Sequence, residues 1–232
     1  MLTDEEQHRY RRNLTLPGIG EAGQQALLEA HVLVVGCGAL GSISSMYLAA
    51  SGVGHITLID FDRIDISNLQ RQLSFSTASV GEKKAIAAAT RLREINPGIE
   101  IVPLDLRLTE ENAPAIFASQ NLIIDGTDNP ATKYLIARIA TSLGKPYIFG
   151  GVHEWRGQVM SCLPGSPGYT DLFPEPAADA TLPPGLLGPL PGIVASSQAA
   201  EAIKILTGAG TPLASRLLLI DAFEGTTKVI HL

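Results

Sequence analysis

The stretch His31–Gly41, HVLVVGCGALG, is where the fold of this chain is decided. Val32 to Val35 form a short β-branched apolar run of the kind that fills a strand buried on both faces. Gly36, Gly38 and Gly41 follow in the spacing G-x-G-x-x-G, and from Ala39 onward the chain reads as a helix. In such a turn the first glycine permits the bend, the second lets the backbone approach a phosphate, and the third allows close packing of helix on strand. Unpaired N–H groups at the helix start then face the anion. A second strand, HITLID, ends in Asp60, about twenty residues on, where an acid can accept hydrogen bonds from ribose hydroxyls. Strand, turn, helix, strand and acid together indicate a nucleotide without saying whether it is NAD or another. A tight turn that holds no ligand is the plain alternative.

Around this stretch, strand and helix alternate. Strands are expected at 32–35, 55–60, 99–104, 121–125 and 146–149, with helices at 40–51, 82–95, 109–118 and 130–143. That alternation specifies an α/β fold, a Rossmann-like, mostly parallel sheet with helices on both faces. Residues 1–30 read as a helical arm of two short helices, the first opened by a capping box between Thr3 and Glu6. Residues 31–232 then form a single domain. HEWRGQVMSCL, with RLLLIDAF and TKVIHL near the end, extends the sheet with antiparallel strands. Between them, residues 164–191 are rich in proline and glycine and read as a long flexible crossover loop, functional or disordered and expected to be mobile without a partner. The helix ASSQAAEAIKILTG after it stops at Gly208.

Composition narrows the classes. A formal charge of −6 and 5% aromatic content argue against a polyanionic partner, so nucleic acid is not expected. The only cysteines, Cys37 and Cys162, can build neither a disulfide framework nor a four-cysteine zinc site, and a reducing, cytoplasmic compartment is the default. No apolar run reaches the length of a membrane span, and the N-terminus lacks the apolar core of a signal peptide. His8, His31, His55, His153 and His231 are scattered without ligand spacing.

Charged clusters refine the nucleotide. In DFDRIDISNLQRQ, Asn68 and Arg71 are placed to grip a triphosphate, which needs fixed cationic forks that a dinucleotide does not. The alternative is a solvated loop in which Arg71 pairs with Asp62 or Asp65. Lys83 and Lys84 stand in the first turn of a helix, against its dipole, a placement that invites an anionic ligand. Asp125 and Asp128, in DGTDNPATK, fall at the sheet edge where α/β proteins bind ligands. Such an acid can hold Mg²⁺ against phosphates, although Asp128, or its competitor Asn129, can also cap the next helix. Trp155 and Arg156 are either channel residues or a packed aromatic beside a surface arginine.

RYRRNLTLPGIGEAGQQALLEAHVLVVGCGALGS, ASGVGHITLIDFDRIDISNLQRQ, VGEKKA, INPGIEI, DGTDNPATKY and GQV, in this order, resemble the ThiF/MoeB/HesA family of adenylating enzymes, relatives of the ubiquitin-activating enzymes. The resemblance implies ATP and Mg²⁺ in place of NAD. It implies adenylation of the C-terminal glycine carboxylate of a ubiquitin-like sulfur-carrier protein, with release of pyrophosphate. On this pattern Gly36, Gly38, Ala39 and Gly41 line the nucleotide, and Asp60 and Asp62 lie at the ribose. Asn68, Arg71 and Lys84 address ribose and phosphates, Asp128 organises the metal, and Arg12 reaches the neighbouring site of a homodimer.

Two departures stand out. Where the family carries two C-x-x-C pairs for a structural zinc, this chain has SPGYTDL and a C-terminus ending VIHL, so no structural zinc is expected. Where several relatives place a cysteine in the crossover loop, Thr181 stands in DATLPPGLLGP, which argues against a covalent step on that loop.

Overall fold

The computed structural model describes residues 1–174 and 185–232. Thr181 and the middle of the proline-rich segment lie outside the described residues. Three helices come first, α1 (Asp4–Arg9), α2 (Arg11–Leu14) and α3 (Gly20–Glu29), one more than the sequence suggested. The Thr3–Glu6 capping box forms as expected. The alternating section follows as β1 (His31–Val35), α4 (Ala39–Ser51), β2 (His55–Ile59), α5 (Lys84–Ile95), β3 (Glu100–Leu104), α6 (Ala113–Ala118), β4 (Leu122–Asp125), α7 (Pro130–Ser142) and β5 (Tyr147–His153). The chain closes with β6 (Arg156–Cys162), α8 (Tyr169–Leu172), α9 (Leu190–Thr207), β7 (Arg216–Asp221) and β8 (Thr226–His231).

The strands form one sheet in the order β3-β2-β1-β4-β5-β6-β7-β8. β3 through β5 are parallel, and β6, β7 and β8 continue antiparallel. The strand order reverses between β1 and β4, which opens a crevice beyond their carboxyl ends.

Period-two alternation explains how one sheet supports two cores. Val32 and Val34 of β1 join Leu27, Leu48, Ala89, Val194 and Ala199 in a layer built from α3, α4, α5 and α9. Leu33 and Val35 point the other way, toward Phe117, Ile136 and Tyr169 of α6, α7 and α8. The two cysteines fall in opposite layers, Cys37 in the first and Cys162 in the second.

Several boundaries differ from the sequence reading, each for a local reason. α6 begins at Ala113, not 109, because Thr109 and Asn112 bond each other's backbones in a turn instead of entering the helix. The expected strand HEWRGQVMSCL is split, since β5 runs on to His153 and the chain reverses at Glu154, whose φ is 52°, before β6. The loop expected to reach Pro191 is interrupted by α8, and α9 starts at Leu190 with Pro191 in its first turn, where a missing N–H costs nothing. Gly208 caps α9 in the left-handed region with φ 71°, as expected.

Candidate nucleotide and carboxylate cleft

Beyond the ends of β1, β2 and β4 lies an open cleft with a volume of about 220 Å³. The glycine turn forms one wall, and each glycine differs in what surrounds it. Gly36 has φ 86°, a conformation that disfavours any side chain. A Cβ on Gly41 would lie 1.8 Å from the Gly36 carbonyl oxygen, so only glycine lets α4 pack this closely. A Cβ on Gly38 would meet nothing closer than Gln72 Nε2 at 3.6 Å, because Gly38 faces the open cleft. Gly38 is also the N-cap of α4 and no side chain caps that helix, which leaves backbone N–H groups oriented for an anion.

Asp60 ties the turn to β2. Its Oδ2 accepts from Cys37 N at 2.7 Å and its Oδ1 from Asp62 N at 2.8 Å. Burial pushes its pKa up, against the pull of those two N–H groups and of Lys84. Two backbone donors use only part of the acceptor capacity of a carboxylate, and Asp60 still lines the cleft.

Besides Asp60, five charged residues share this space: Asp62, Arg71, Lys84, Arg107 and Asp128. Lys84, the first residue of α5, is 7% exposed and reaches Asp62 Oδ2 at 3.2 Å. Its neighbour Lys83 turns away to pair with Asp105, so only one of the two lysines lines the cleft. Arg71 pairs with neither Asp62 nor Asp65; its guanidinium donates to Ser67 O at 3.0 Å, and Asp65 instead caps the short helical turn Ile66–Asn68. The capping choice is settled likewise. Asn129 Oδ1 accepts from Thr132 N at 3.0 Å and caps α7, which leaves the Asp128 carboxylate without a hydrogen bond or ion pair among the described residues.

Other expected residues sit back from the wall. Asn68 is half-buried behind Arg71, with its Oδ1 accepting from Asp65 N at 3.1 Å. Gly41 lies behind the turn, and Arg12 is exposed on α2, outside the cleft of its own chain. Trp155 and Arg156 do not line the cleft: Trp155 stacks edge-on against Phe223, and Arg156 Nε lies 3.3 Å from Asp221.

The sequence reading missed several residues of this site. Leu106, Leu108 and Phe61 form an apolar corner of the cleft, with the Arg107 guanidinium 3.8 Å from the Phe61 ring centroid. Gln72 is 4% exposed and lines the wall at Gly38, and its Oε1 has no partner among the described residues. Asp125 is fully engaged, since Oδ1 accepts from Thr127 N and Oγ1 and Oδ2 meets Lys133. The apolar corner carries no pattern beyond ordinary strand ends, but the eight-residue spacing of Asp125 and Lys133 was open to a charge-pair reading.

Residues 10–232 match the ThiF family. The chain belongs to the ThiF family. It is 43% identical over 236 residues to the sulfur carrier protein adenylyltransferase of Thermus thermophilus, covering 97% of this chain and 87% of that protein. It is 37% identical to the SAMP-activating enzyme E1 of Haloferax volcanii, covering 96% and 84%. A probable adenylyltransferase/sulfurtransferase of Mycobacterium tuberculosis, MoeZ, is 43% identical, and there the match takes in 99% of this chain but only 61% of the relative. Among solved structures, E. coli MccB with ATP superposes with a TM-score of 0.87 at 24% identity, over 99% of this chain and 72% of that one, which establishes a shared fold. The glycine turn is tied to both neighbouring strands: Gly36 N donates to Ile59 O at the end of β2, and Gly126 N, just after β4, donates to Val35 O, both at 2.8 Å.

Proposed function

We propose that this chain uses ATP to adenylate the C-terminal glycine carboxylate of a ubiquitin-like sulfur-carrier protein, forming an acyl-adenylate and releasing pyrophosphate. One observation carries the reading: Arg71, Lys84 and an unengaged Asp128 line the same cleft as Gly38, in a chain with relatives named adenylyltransferases. An NAD enzyme has no use for that set.

The attacking carboxylate is already ionised near neutral pH, so no general base is needed. A lone pair on its oxygen becomes the new bond to the α-phosphorus, while the bond from that phosphorus to the oxygen bridging to the β-phosphate breaks and its electron pair leaves with pyrophosphate. The protein's task is to position the anions and neutralise their repulsion. Arg71 offers a planar fork, Lys84 a buried point charge already half-committed to Asp62, and the start of α4 its N–H groups. The corner of Phe61, Leu106 and Leu108 suits the adenine ring, and Asp60 with Asp62 suits the ribose. Asn68 would join them after a small movement of its loop.

Asp128 fits Mg²⁺ by its chemistry, since Mg²⁺ takes one or two carboxylates together with phosphate oxygens and water. When bound, the ion would neutralise charge between the phosphates. In our reading the protein is a cytoplasmic homodimer of one adenylation domain behind an N-terminal arm, and exposed Arg12 serves the partner's cleft. The reading includes no structural zinc, since the chain's two cysteines are buried in opposite layers. No helix among the described residues is long and apolar enough to cross a membrane.

The test is exchange of labelled pyrophosphate into ATP with a carrier ending in glycine and with the same carrier lacking that residue. Exchange with the first alone supports the reading. Exchange with neither, together with calorimetric binding of NAD but not ATP, overturns it.

A further inference from the structure

Behind the cleft, under the turn that carries Asp128, lies a buried ion pair that the proposed chemistry does not use. Lys133 projects from the first turns of α7, 7% exposed, with its Nζ 2.9 Å from Asp125 Oδ2 and 2.6 Å from the carbonyl oxygen of Gly150 on β5. The Phe149 ring centroid stands 5.2 Å from the same ammonium. Asp125 is 1% exposed, and its other oxygen accepts from Thr127 N at 3.0 Å and Thr127 Oγ1 at 2.7 Å. From the opposite core layer, Gln198 Nε2 donates to the Asp125 carbonyl oxygen at 2.8 Å.

Asp125 is thus held on both faces of the sheet, and its side chain has one outlet, the backbone and hydroxyl of Thr127. Thr127 is bonded covalently to Asp128. The turn is also keyed to the glycine loop, because a Cβ on Gly126 would lie 2.6 Å from the Gly36 carbonyl oxygen. A buried ion pair rarely exceeds well-packed apolar side chains in stability, so its value here lies in what it orients. A carboxylate that must meet a metal and phosphates in fixed geometry gains from a rigid support beneath it.

We propose that Lys133 is a positioning residue: through Asp125 and Thr127 it fixes the turn that presents Asp128, and through Gly150 it ties that turn to the middle of β5. The inference rests on the assignment of Asp128 to the metal. Without Lys133, the Asp125 carboxylate loses its counter-charge and relaxes, the turn loosens, and Asp128 samples more positions.

The experiment uses the full chain with Lys133→Met, Thr127→Val and Asp128→Asn. Exchange of the Thr127 amide hydrogen is followed by NMR without nucleotide or metal, and affinity for Mn²⁺ is measured by paramagnetic resonance in the presence of a non-hydrolysable ATP analogue. In Lys133→Met the Thr127 amide should exchange at least about tenfold faster, and Mn²⁺ affinity should fall about 10- to 100-fold, the range for loss of an outer-shell partner. Thr127→Val keeps the ion pair and removes one bond, and should weaken Mn²⁺ binding less. Folded Lys133→Met with unchanged amide exchange and Mn²⁺ affinity overturns the inference. If Lys133→Met does not fold, unchanged Mn²⁺ affinity in Thr127→Val does so. Asp128→Asn separates the two levels: if it binds Mn²⁺ as the parent does, the Asp128 assignment fails whatever Lys133 does.

Discussion

Where the parallel strands begin, Asn96 is wholly buried, and its amide donates to Tyr10 Oη and to Ala49 O, both at 2.8 Å. Where they end, Asp128 and Gln72 Oε1 have no partner among the described residues, and Arg71 has only a backbone oxygen. One sheet supports both ends with the same apolar layers. At the lower end Asn96, Tyr10 and Ala49 satisfy one another, and Gln120 Oε1 is the exception, without a partner among the described residues. At the upper end donors and acceptors face a cleft, and the missing partners define what the cleft takes: anions for Arg71 and Lys84, a cation for Asp128. The comparison separates residues that hold the fold from residues that await a ligand, and substitutions at the two ends should therefore fail in different ways.

The largest effect is expected at the upper end. Arg71→Ala and Asp128→Ala should each lower carrier-dependent pyrophosphate exchange at least about 10²-fold, the scale for losing one electrostatic contact in a transition state. Melting temperatures should stay close to the parent's, since neither side chain is paired in an ion bridge. A variant with full turnover would remove that residue from the site. One that unfolds would blur the division between the two ends.

At the lower end the pattern should invert. Asn96→Ala strips Tyr10 Oη and Ala49 O of a buried donor, at a cost of about 1–3 kcal/mol. For a domain of this size that lowers the melting temperature by roughly 2–10 °C. Turnover per folded molecule should not change. A drop in turnover with an unchanged melting temperature would mean that the arm held by Tyr10 communicates with the cleft.

The two ends were also unequally legible in the sequence. The glycine turn was readable because Gly36 and Gly41 answer steric demands that no other residue meets, and the mostly parallel sheet followed from the alternation of strand and helix. Arg71, Lys84 and Asp128 stood out as charges at strand ends and helix starts. Sequence left open which of Asp128 and Asn129 caps α7, because both are good caps and only backbone geometry chooses. Gln72 and the Asn96–Tyr10 bond were invisible, since a neutral amide carries no signal until packing decides whether it has a partner. The stacked His31–His55 pair was unreadable for a further reason: it depends on the register of β1 against β2, which alternation does not fix.

That histidine pair supplies the smallest and most selective test. His31 and His55 face each other across β1 and β2 with ring centroids 3.9 Å apart, and His55 Nδ1 lies 2.9 Å from Glu100 on β3. Burial, and then the neighbouring His55, hold the His31 pKa below its ordinary value of 6.5, while Glu100 pulls the other way. A histidine depressed in this way takes up a proton more readily unfolded than folded. Its share of stability is therefore intact above about pH 6.5 and is lost as pH falls through that value toward the folded pKa. The melting temperature should fall slightly between roughly pH 7.5 and 5.5 on this account, and His31→Gln should flatten that slope. The residue is partly exposed, so the effect stays small. An equally steep slope in His31→Gln would assign the pH dependence elsewhere, and not to the buried carboxyl of Asp60, whose raised pKa makes stability rise as pH falls.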